Sequence, residues 1–215
     1  MSHSLWTRIQ LEGNQRILQN LICCDLENVH SDPQWSALCD SSGKVLATLW
    51  IHKQNQQWIM DLPSTMKDQI IQHVQRYALR DRFKIDDASI PEDERFHLRY
   101  NITHLMPCIE PSTSSQFTPQ MLAVDRVPNA ICWTKGCYLG QEVIMRLQQL
   151  GKIKRVIKAF QFNGEVDSLK VTTEDGKNAG QIINSIHDQK EHLFSMIVNV
   201  DHGTLFVDDQ PIKAL

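Results

Sequence analysis

Residues 135–142 read Lys135-Gly136-Cys137-Tyr138-Leu139-Gly140-Gln141-Glu142. A cysteine here stands between a lysine and two glycines, just ahead of a helical pattern. Free cysteine titrates near 8.5, and a neighbouring cation or a helix start lowers that value. Lys135 lies two positions before Cys137. Backbone N–H groups at a helix start favour a thiolate or a bound anion. Gly136 and Gly140 allow a tight turn or a close approach. Two readings of Cys137 stand at this point: a reactive thiol, or the small buried hydrophobe that free cysteines commonly are. A nucleophile also wants a base within reach, and no histidine lies between His104 and His187. Cys132 is either a partner for a reversible disulfide or a core residue alongside Ile131 and Trp133.

After the octapeptide, Val143, Ile144, Leu147 and Leu150 share one helical face. From Val143 to Gly164 there is no acid, while Arg146, Lys152, Lys154, Arg155 and Lys158 are basic. Such a run either meets phosphate or is a solvated edge. Beyond Gly151 the pattern turns to short strands: 156–162, 170–173, 179–183, 192–200 and 204–207. Turns at 174–178 and 201–203 separate some of them. Short strands at this spacing predict a small antiparallel barrel or sandwich.

Upstream, residues 5–11 alternate like a strand, with Leu5, Ile9 and Leu11 on one face and Trp6, Arg8 and Gln10 on the other. Trp6 is the apolar exception on its face: it packs under a loop or helix, or offers a flat surface to a planar ligand. Asn14 caps a short helix carrying Ile17, Leu18, Leu21 and Ile22. Residues 37–51 predict a hairpin turning at Asp40-Ser41-Ser42-Gly43. The next strand lies at 58–62. Ser64 caps a helix bearing Met66, Ile70, Val74 and Ala78, and a further strand lies at 83–85. This order argues α+β. The acidic stretch 86–95 is a solvated connection and 107–119 a surface loop. Thr118-Pro119 opens a short helix over MLAVDRV. Asp25, after the first helix, is a loop cap or a carboxylate for a ligand.

The 215 residues suit one large domain or two small ones. With 41% hydrophobic and 22% charged residues, disorder is excluded. A net charge of −3 confines any nucleic-acid contact to a local patch. No apolar run approaches the about 18 residues of a membrane span, and the start lacks a signal-peptide pattern, so a cytoplasmic protein is expected. The six cysteines show no C-x-x-C and no zinc spacing, and with no export signal reduced thiols are expected. Cys23, Cys24, Cys39 and Cys108 read as structural, and no metal site is expected.

KGCYLGQE resembles the K-G-C-Y-x-G-Q-E signature of the YgfZ family, folate-binding proteins related to the aminomethyltransferase (T-protein) of the glycine cleavage system. The resemblance extends over most of the chain: Gln116 to Gln120 is similar to the family's Q-F-x-P-Q, and Trp6 to Gly13 to its first strand. Leu18 to Asp25 is similar to its Q-x-x-T-x-D region, Ala37 to Gly43 to its A-x-x-x-D-x-x-G hairpin, and Gly151 to Arg155 to G-x-x-K-R. It implies a T-protein-like α+β fold. Residues 1–150 would form a folate-binding domain and 151–215 a small C-terminal antiparallel β-barrel. Relatives are commonly longer, and a lobe that helps wall the folate cavity is expected to be missing here. The resemblance implies tetrahydrofolate or a derivative as cofactor, with Cys137 as the functional thiol. It places folate beside Trp6, His97 (where relatives carry a second tryptophan), Asp25, Lys135, Tyr138, Gln141 and Glu142. It further implies support of iron–sulfur enzymes and of tRNA modification; the basic run offers Arg146, Lys152, Lys154 and Arg155 for a tRNA contact. A folate-dependent aminomethyl transferase and a non-catalytic tRNA- or protein-binding scaffold are the alternatives.

Overall fold

The computed structural model describes residues 5–164, 169–188 and 191–215. Five strands, β1 (Trp6–Glu12), β2 (Gln34–Cys39), β3 (Val45–Gln54), β4 (Gln57–Pro63) and β5 (Lys84–Ala88), form an antiparallel sheet in the order β2-β3-β4-β1-β5. The period-2 alternation of β1 sorts its side chains between two faces. Ile9 and Leu11 join Leu49, Ile51, Met60 and Leu62 in a core closed by helices α1 (Gln15–Gln19) and α2 (Lys67–Tyr77). Leu18, Ile70 and Val74 are the helical contribution, each fully buried. Each such side chain contributes about 1.5–3 kcal/mol by burial. Asn14 caps α1 as expected, accepting the N–H of Arg16 at 3.0 Å. Helix α2 opens through a 3₁₀ turn at Ser64–Met66.

The opposite face carries Trp6, Trp35, Ala37, Cys39 and Trp50. Its core also takes in Phe96, Cys108, Ile109, Phe117 and Ile131 from the middle of the chain and Ile157, Ile183 and Ile197 from its C-terminal part. One core thus joins the first sheet to the C-terminal strands.

Three local expectations change. Asp86 and Asp87 of the acidic stretch lie on edge strand β5, and a helix forms beyond it at α3 (Leu98–Thr103). Ile102 anchors α3 with Ala159 and Leu193, an apolar seam that the neighbouring charges hide in the sequence. The helix expected after Thr118-Pro119 is a run of turns ending in a 3₁₀ turn at Val124–Arg126. The Thr118 hydroxyl does accept the N–H of Met121, but Ala123 adopts φ +58, which ends helical geometry. Helix α4 (Gln141–Leu150) forms as read, with Ile144 buried.

The C-terminal strands are β6 (Arg155–Asn163), β7 (Thr172–Thr173), β8 (Gly180–Asp188), β9 (Glu191–Asn199), β10 (Leu205–Val207), β11 (Gln210–Pro211) and β12 (Lys213–Ala214). The expected small antiparallel β-barrel is borne out as antiparallel strands, but among the described residues they do not close into a barrel. They divide into two antiparallel sheets, β12-β6-β9-β8 and β11-β10-β7. Phe160, Phe194, Met196, Leu205 and Val207 fill the core they share. Closure needs continuous pairing. Strands β7, β10 and β11 are too short to supply it, and a bulge at Ile182/Asn184 interrupts β8.

Candidate functional site

The register of the first sheet sets four side chains in one row. Trp35 pairs with Trp50, Trp50 with Asp61, and Asp61 with Arg8, across β2, β3, β4 and β1. The Trp35 and Trp50 rings lie 5.2 Å apart, and Trp6 flanks them at 6.2 Å from Trp35. Arg8 grips Asp61 with two hydrogen bonds, Nε to Oδ1 at 2.6 Å and Nη2 to Oδ2 at 2.8 Å. Asp61 is fully buried, and only such paired, bidentate geometry makes a buried carboxylate tolerable. The indole N–H groups of Trp35 and Trp50 and Nδ1 of His52 are buried with no hydrogen-bond partner. Leaving a buried donor unmet costs about 1–3 kcal/mol, so three together on one sheet face are exceptional. Burial holds the His52 imidazole below its ordinary value, which keeps it neutral.

A 3₁₀ turn, Glu94–Phe96, lies over this face. Asp93 caps it, accepting the Arg95 N–H at 2.9 Å, and pairs with the Arg95 guanidinium at 2.7 Å. That guanidinium stands 5.0 Å from the Trp50 ring, and Phe96 stands 5.7 Å from Trp6. Trp6 is therefore buried under Phe96, as the packing alternative required. His97 is exposed beyond Phe96 and lines an open depression of 750 Å³ with Leu5, Ile90, Phe96 and Ile186. Of the 93–97 turn, it is Phe96 whose ring meets Trp6.

The octapeptide forms a second place. Lys135 turns inward, and its ammonium donates to the carbonyls of Gln19 (2.7 Å), Ile22 (2.6 Å) and Cys24 (2.6 Å). An ammonium has three donors. All three are committed to the chain leaving α1, so none is left for a thiolate at Cys137. Burial lowers the Lys135 ammonium below its ordinary value. Its charge lies 4.8 Å from the Tyr138 ring. Tyr138 is buried, its hydroxyl lacks a partner, and burial pushes that hydroxyl upward. The Leu139 N–H donates to Asn20 at 2.8 Å. Gly140 sits at φ +80, where a Cβ would meet the Asp40 carbonyl at 2.6 Å and the Gly43 Cα at 2.8 Å. The octapeptide is thus locked against α1 and the β2–β3 turn. Cys137 is exposed on its outer side, beside a shallow depression of 550 Å³ shared with Ser41, Gln141, Glu142 and Met145. Gln141 reaches back to the Lys135 carbonyl at 3.4 Å. Glu142 is on the surface, paired with Arg146 at 2.6 Å.

Asp25 occupies a third place. It caps the 3₁₀ turn Leu26–Asn28. Its Oδ1 accepts from Gln19 Nε2 at 2.6 Å and from the Glu27 N–H at 3.2 Å, and its Oδ2 accepts from Asn28 Nδ2 at 2.9 Å. It borders a cavity of 490 Å³ with Gln34, Asn129, Cys132 and Trp133. The structure thus brings Cys137, Gln141 and Glu142 together, and ties Lys135 and Tyr138 to the segment before Asp25. Trp6, Trp35 and Trp50 share one buried core with Tyr138, while Cys137 lies exposed at the surface.

Arg8, Trp35, Trp50, His52, Asp61 and Arg95 were not singled out from sequence. The signals that could have found them were Asp61, an acid inside an otherwise apolar strand, and Arg8 on the face of Trp6. No cluster of metal-binding side chains and no helix long and apolar enough to cross a membrane occurs among the described residues.

No family model matches the chain. The resemblance carried by the octapeptide is borne out by relatives. A tRNA-modifying protein YgfZ from Colwellia psychrerythraea is 38% identical over 90 residues, covering 38% of this chain and 27% of that protein. Another of the same name, from Blochmanniella pennsylvanica, is 31% identical over 106 residues, covering 43% of this chain and 31% of that protein. The chain therefore spans about a quarter to a third of the length of these curated relatives. In fold it is similar to the glycine cleavage system aminomethyltransferase T from Bartonella henselae, with a TM-score of 0.68 over 97% of this chain and 82% of that one, at 10% identity. That likeness supports the T-protein-like α+β fold.

Proposed function

We infer that this chain, similar in sequence to the YgfZ family and in fold to an aminomethyltransferase, binds a folate on the Trp35–Trp50–Asp61–Arg8 face. We read it as an accessory protein for iron–sulfur enzymes and tRNA modification. The observation that carries the binding reading is the set of three unpartnered ring nitrogens beside Trp6. A pterin is planar and edged with hydrogen-bond acceptors and donors. It fits a face offering two indole donors, a neutral imidazole and aromatic surface. Phe96 and Arg95 cover that face with a phenyl ring and a planar guanidinium, so binding requires the 93–97 turn to lift. A bound folate would supply a one-carbon carrier. The chain's own part is to hold the ring through Trp35, Trp50 and His52, while Arg8 keeps Asp61 in place.

Binding is favoured over aminomethyl transfer because the carboxylates are already engaged. Asp61 is held by Arg8, Asp25 accepts three hydrogen bonds, and Glu142 pairs with Arg146 on the surface. A transferase needs a carboxylate at the folate nitrogens to move a proton. Cys137, exposed and apart from the row, is the thiol presented to iron–sulfur clients.

Titration with tetrahydrofolate, read by tryptophan fluorescence, tests the binding reading. Trp50→Phe, which deletes one indole donor, should weaken binding roughly 5-fold, equivalent to about 1 kcal/mol. Trp58→Phe changes a ring on the helix-covered face and should leave affinity unchanged. No saturable signal up to about millimolar folate, a bound worth only about 4 kcal/mol, would remove the claim.

A further inference from the structure

The basic run after the octapeptide has a structural feature that its sequence does not show: an apolar floor. Met121 from the turn region, Val143 and Leu147 from α4, and Ile153 line an open groove of 450 Å³. Leu150 continues the Val143–Leu147 stripe and is 83% exposed, the most exposed large apolar side chain among the described residues. The cations form the rim. Lys152, Lys154 and Arg155 line one part of the groove, and Lys44 and Arg146 also border it. No acidic residue lines it, and Glu142, one turn before Arg146 on α4, is already paired with Arg146.

The walls are fixed. Lys44 leaves a turn whose Gly43 is in contact with Gly140 and Val143, leaving no room for a Cβ at either glycine. At the far end, the Gly151 N–H donates to Leu147, and a Cβ on Gly151 would lie 2.6 Å from the same carbonyl oxygen. The strap 152–155 is pinned beyond by the Ile157 N–H donating to Met121 and the Val200 N–H donating to Lys154.

We propose that this groove docks an acidic amphipathic segment of a partner protein, its apolar side on Val143, Leu147 and Leu150 and its carboxylates against the lysine and arginine rim. The spacing i, i+4, i+7 of that stripe is the ridge that a facing amphipathic helix meets. Charge complementarity steers such a partner in, and the apolar contact holds it. An RNA strand would use the rim but leave the aliphatic floor against phosphate and sugar. Single-strand sites use aromatic platforms instead. The floor therefore favours protein over RNA. The proposal does not depend on folate binding.

Fluorescence anisotropy with the full chain tests it. The probe is a fluorescein-labelled peptide of about 15 residues, built from glutamate, alanine and leucine, with leucines at i, i+3, i+4 and i+7. Leu150→Ser alters an exposed side chain and should weaken peptide binding about 10-fold or more, through the lost burial of one leucine. Changing Lys152, Lys154 and Arg155 together to glutamate should abolish it. A peptide with the leucines replaced by glutamine should bind at least about 10-fold more weakly than the amphipathic one. The proposal is overturned if Leu150→Ser binds the amphipathic peptide as the parent does. It is equally overturned if an oligouridylate of about 12 nucleotides binds more tightly than the peptide at about 0.15 M salt, or if no peptide binding is seen.

Discussion

Replacing Lys135 by methionine separates two roles that the octapeptide offers its lysine. Methionine keeps the length and apolar packing of the stem but removes three charged donors. The Gln19, Ile22 and Cys24 carbonyls then lose partners at 2.6–2.7 Å. A hydrogen bond to a charged group contributes about 1.5–3 kcal/mol, so the gross loss is several kcal/mol. Against it stands the desolvation penalty of the buried ammonium, itself several kcal/mol, which methionine does not incur. The difference is expected to be a destabilisation of about 3 kcal/mol, or about 6–12 °C in Tm for a chain of this size. Urea denaturation should show a lower midpoint at unchanged slope. In the same native protein, the rate at which Cys137 reacts with Ellman's reagent should be nearly unchanged, because Lys135 has no donor left for the thiolate. A stability change below about 0.5 kcal/mol, combined with a roughly 10-fold slower thiol reaction, would refute the clamp and restore the lysine as activator.

Gly140→Ala should cost about 2–4 kcal/mol, from φ +80 and from contacts at 2.6 and 2.8 Å, whereas Gly136→Ala, with nothing within 4 Å, should change stability by under about 0.5 kcal/mol; thermal melts of the two compare them directly. Cys137 should react with Ellman's reagent in the native state, while Cys23, Cys24, Cys39 and Cys108 stay protected until unfolding. Burial raises Cys24 to about 12 and Cys108 well above the ordinary range, and the hydrogen bond with Cys23, then burial, does the same for Cys39. Burial lowers both His52 and His73, so below about pH 6.5 the unfolded chain binds more protons than the native one. The contribution of these two histidines should therefore be flat above that pH and fall as pH drops below it, and His52→Gln should flatten part of the slope in urea titrations. Asp93, held low by the hydrogen bond from Arg95, adds its loss only near about pH 4 and below. Phe96→Ala should uncover Trp6 and raise tetrahydrofolate affinity several-fold by isothermal calorimetry; weaker binding would show that Phe96 belongs to the site rather than covering it.

Much of the first sheet is legible in the sequence because its signals are local. The alternation at 5–11, the Asp40–Gly43 turn and the Asn14 cap are each decided by residues a few positions apart, and each forms. Helix α4 is legible for the same reason. The turn run after Thr118 is not, because Ala123 takes a left-handed conformation that its side chain does not advertise. The open C-terminal sheets are not, because barrel closure depends on pairing between strands far apart in sequence. For the site, the octapeptide locates Cys137 on the surface. The Trp35–Trp50–Asp61–Arg8 row depends on the register of three strand pairs, and no single stretch of sequence contains it.

That difference bears on how the octapeptide acts. Five of its eight residues serve the fold: Lys135 closes the chain after α1, Tyr138 fills the core beneath it, Leu139 bonds to Asn20, Gly140 admits the β2–β3 turn, and Gln141 ties the loop to itself. The motif exposes a sulfur and a carboxylate, Cys137 and Glu142, on the surface. A motif built this way presents one thiol outward at a fixed position while holding its own backbone still. The proposed folate face lies on the first sheet, under Arg95 and Phe96. Any coupling between the proposed folate face and the thiol must pass through elements that touch both. Strand β2 is the shortest such path: it carries Trp35 at the row and Cys39 beside Cys23, and it ends in the turn that packs on Gly140. A substitution at the middle of that path, such as Ala37→Val in the fully buried centre of β2, should alter folate affinity and Cys137 reactivity together if the two sites communicate, and stability alone if they do not.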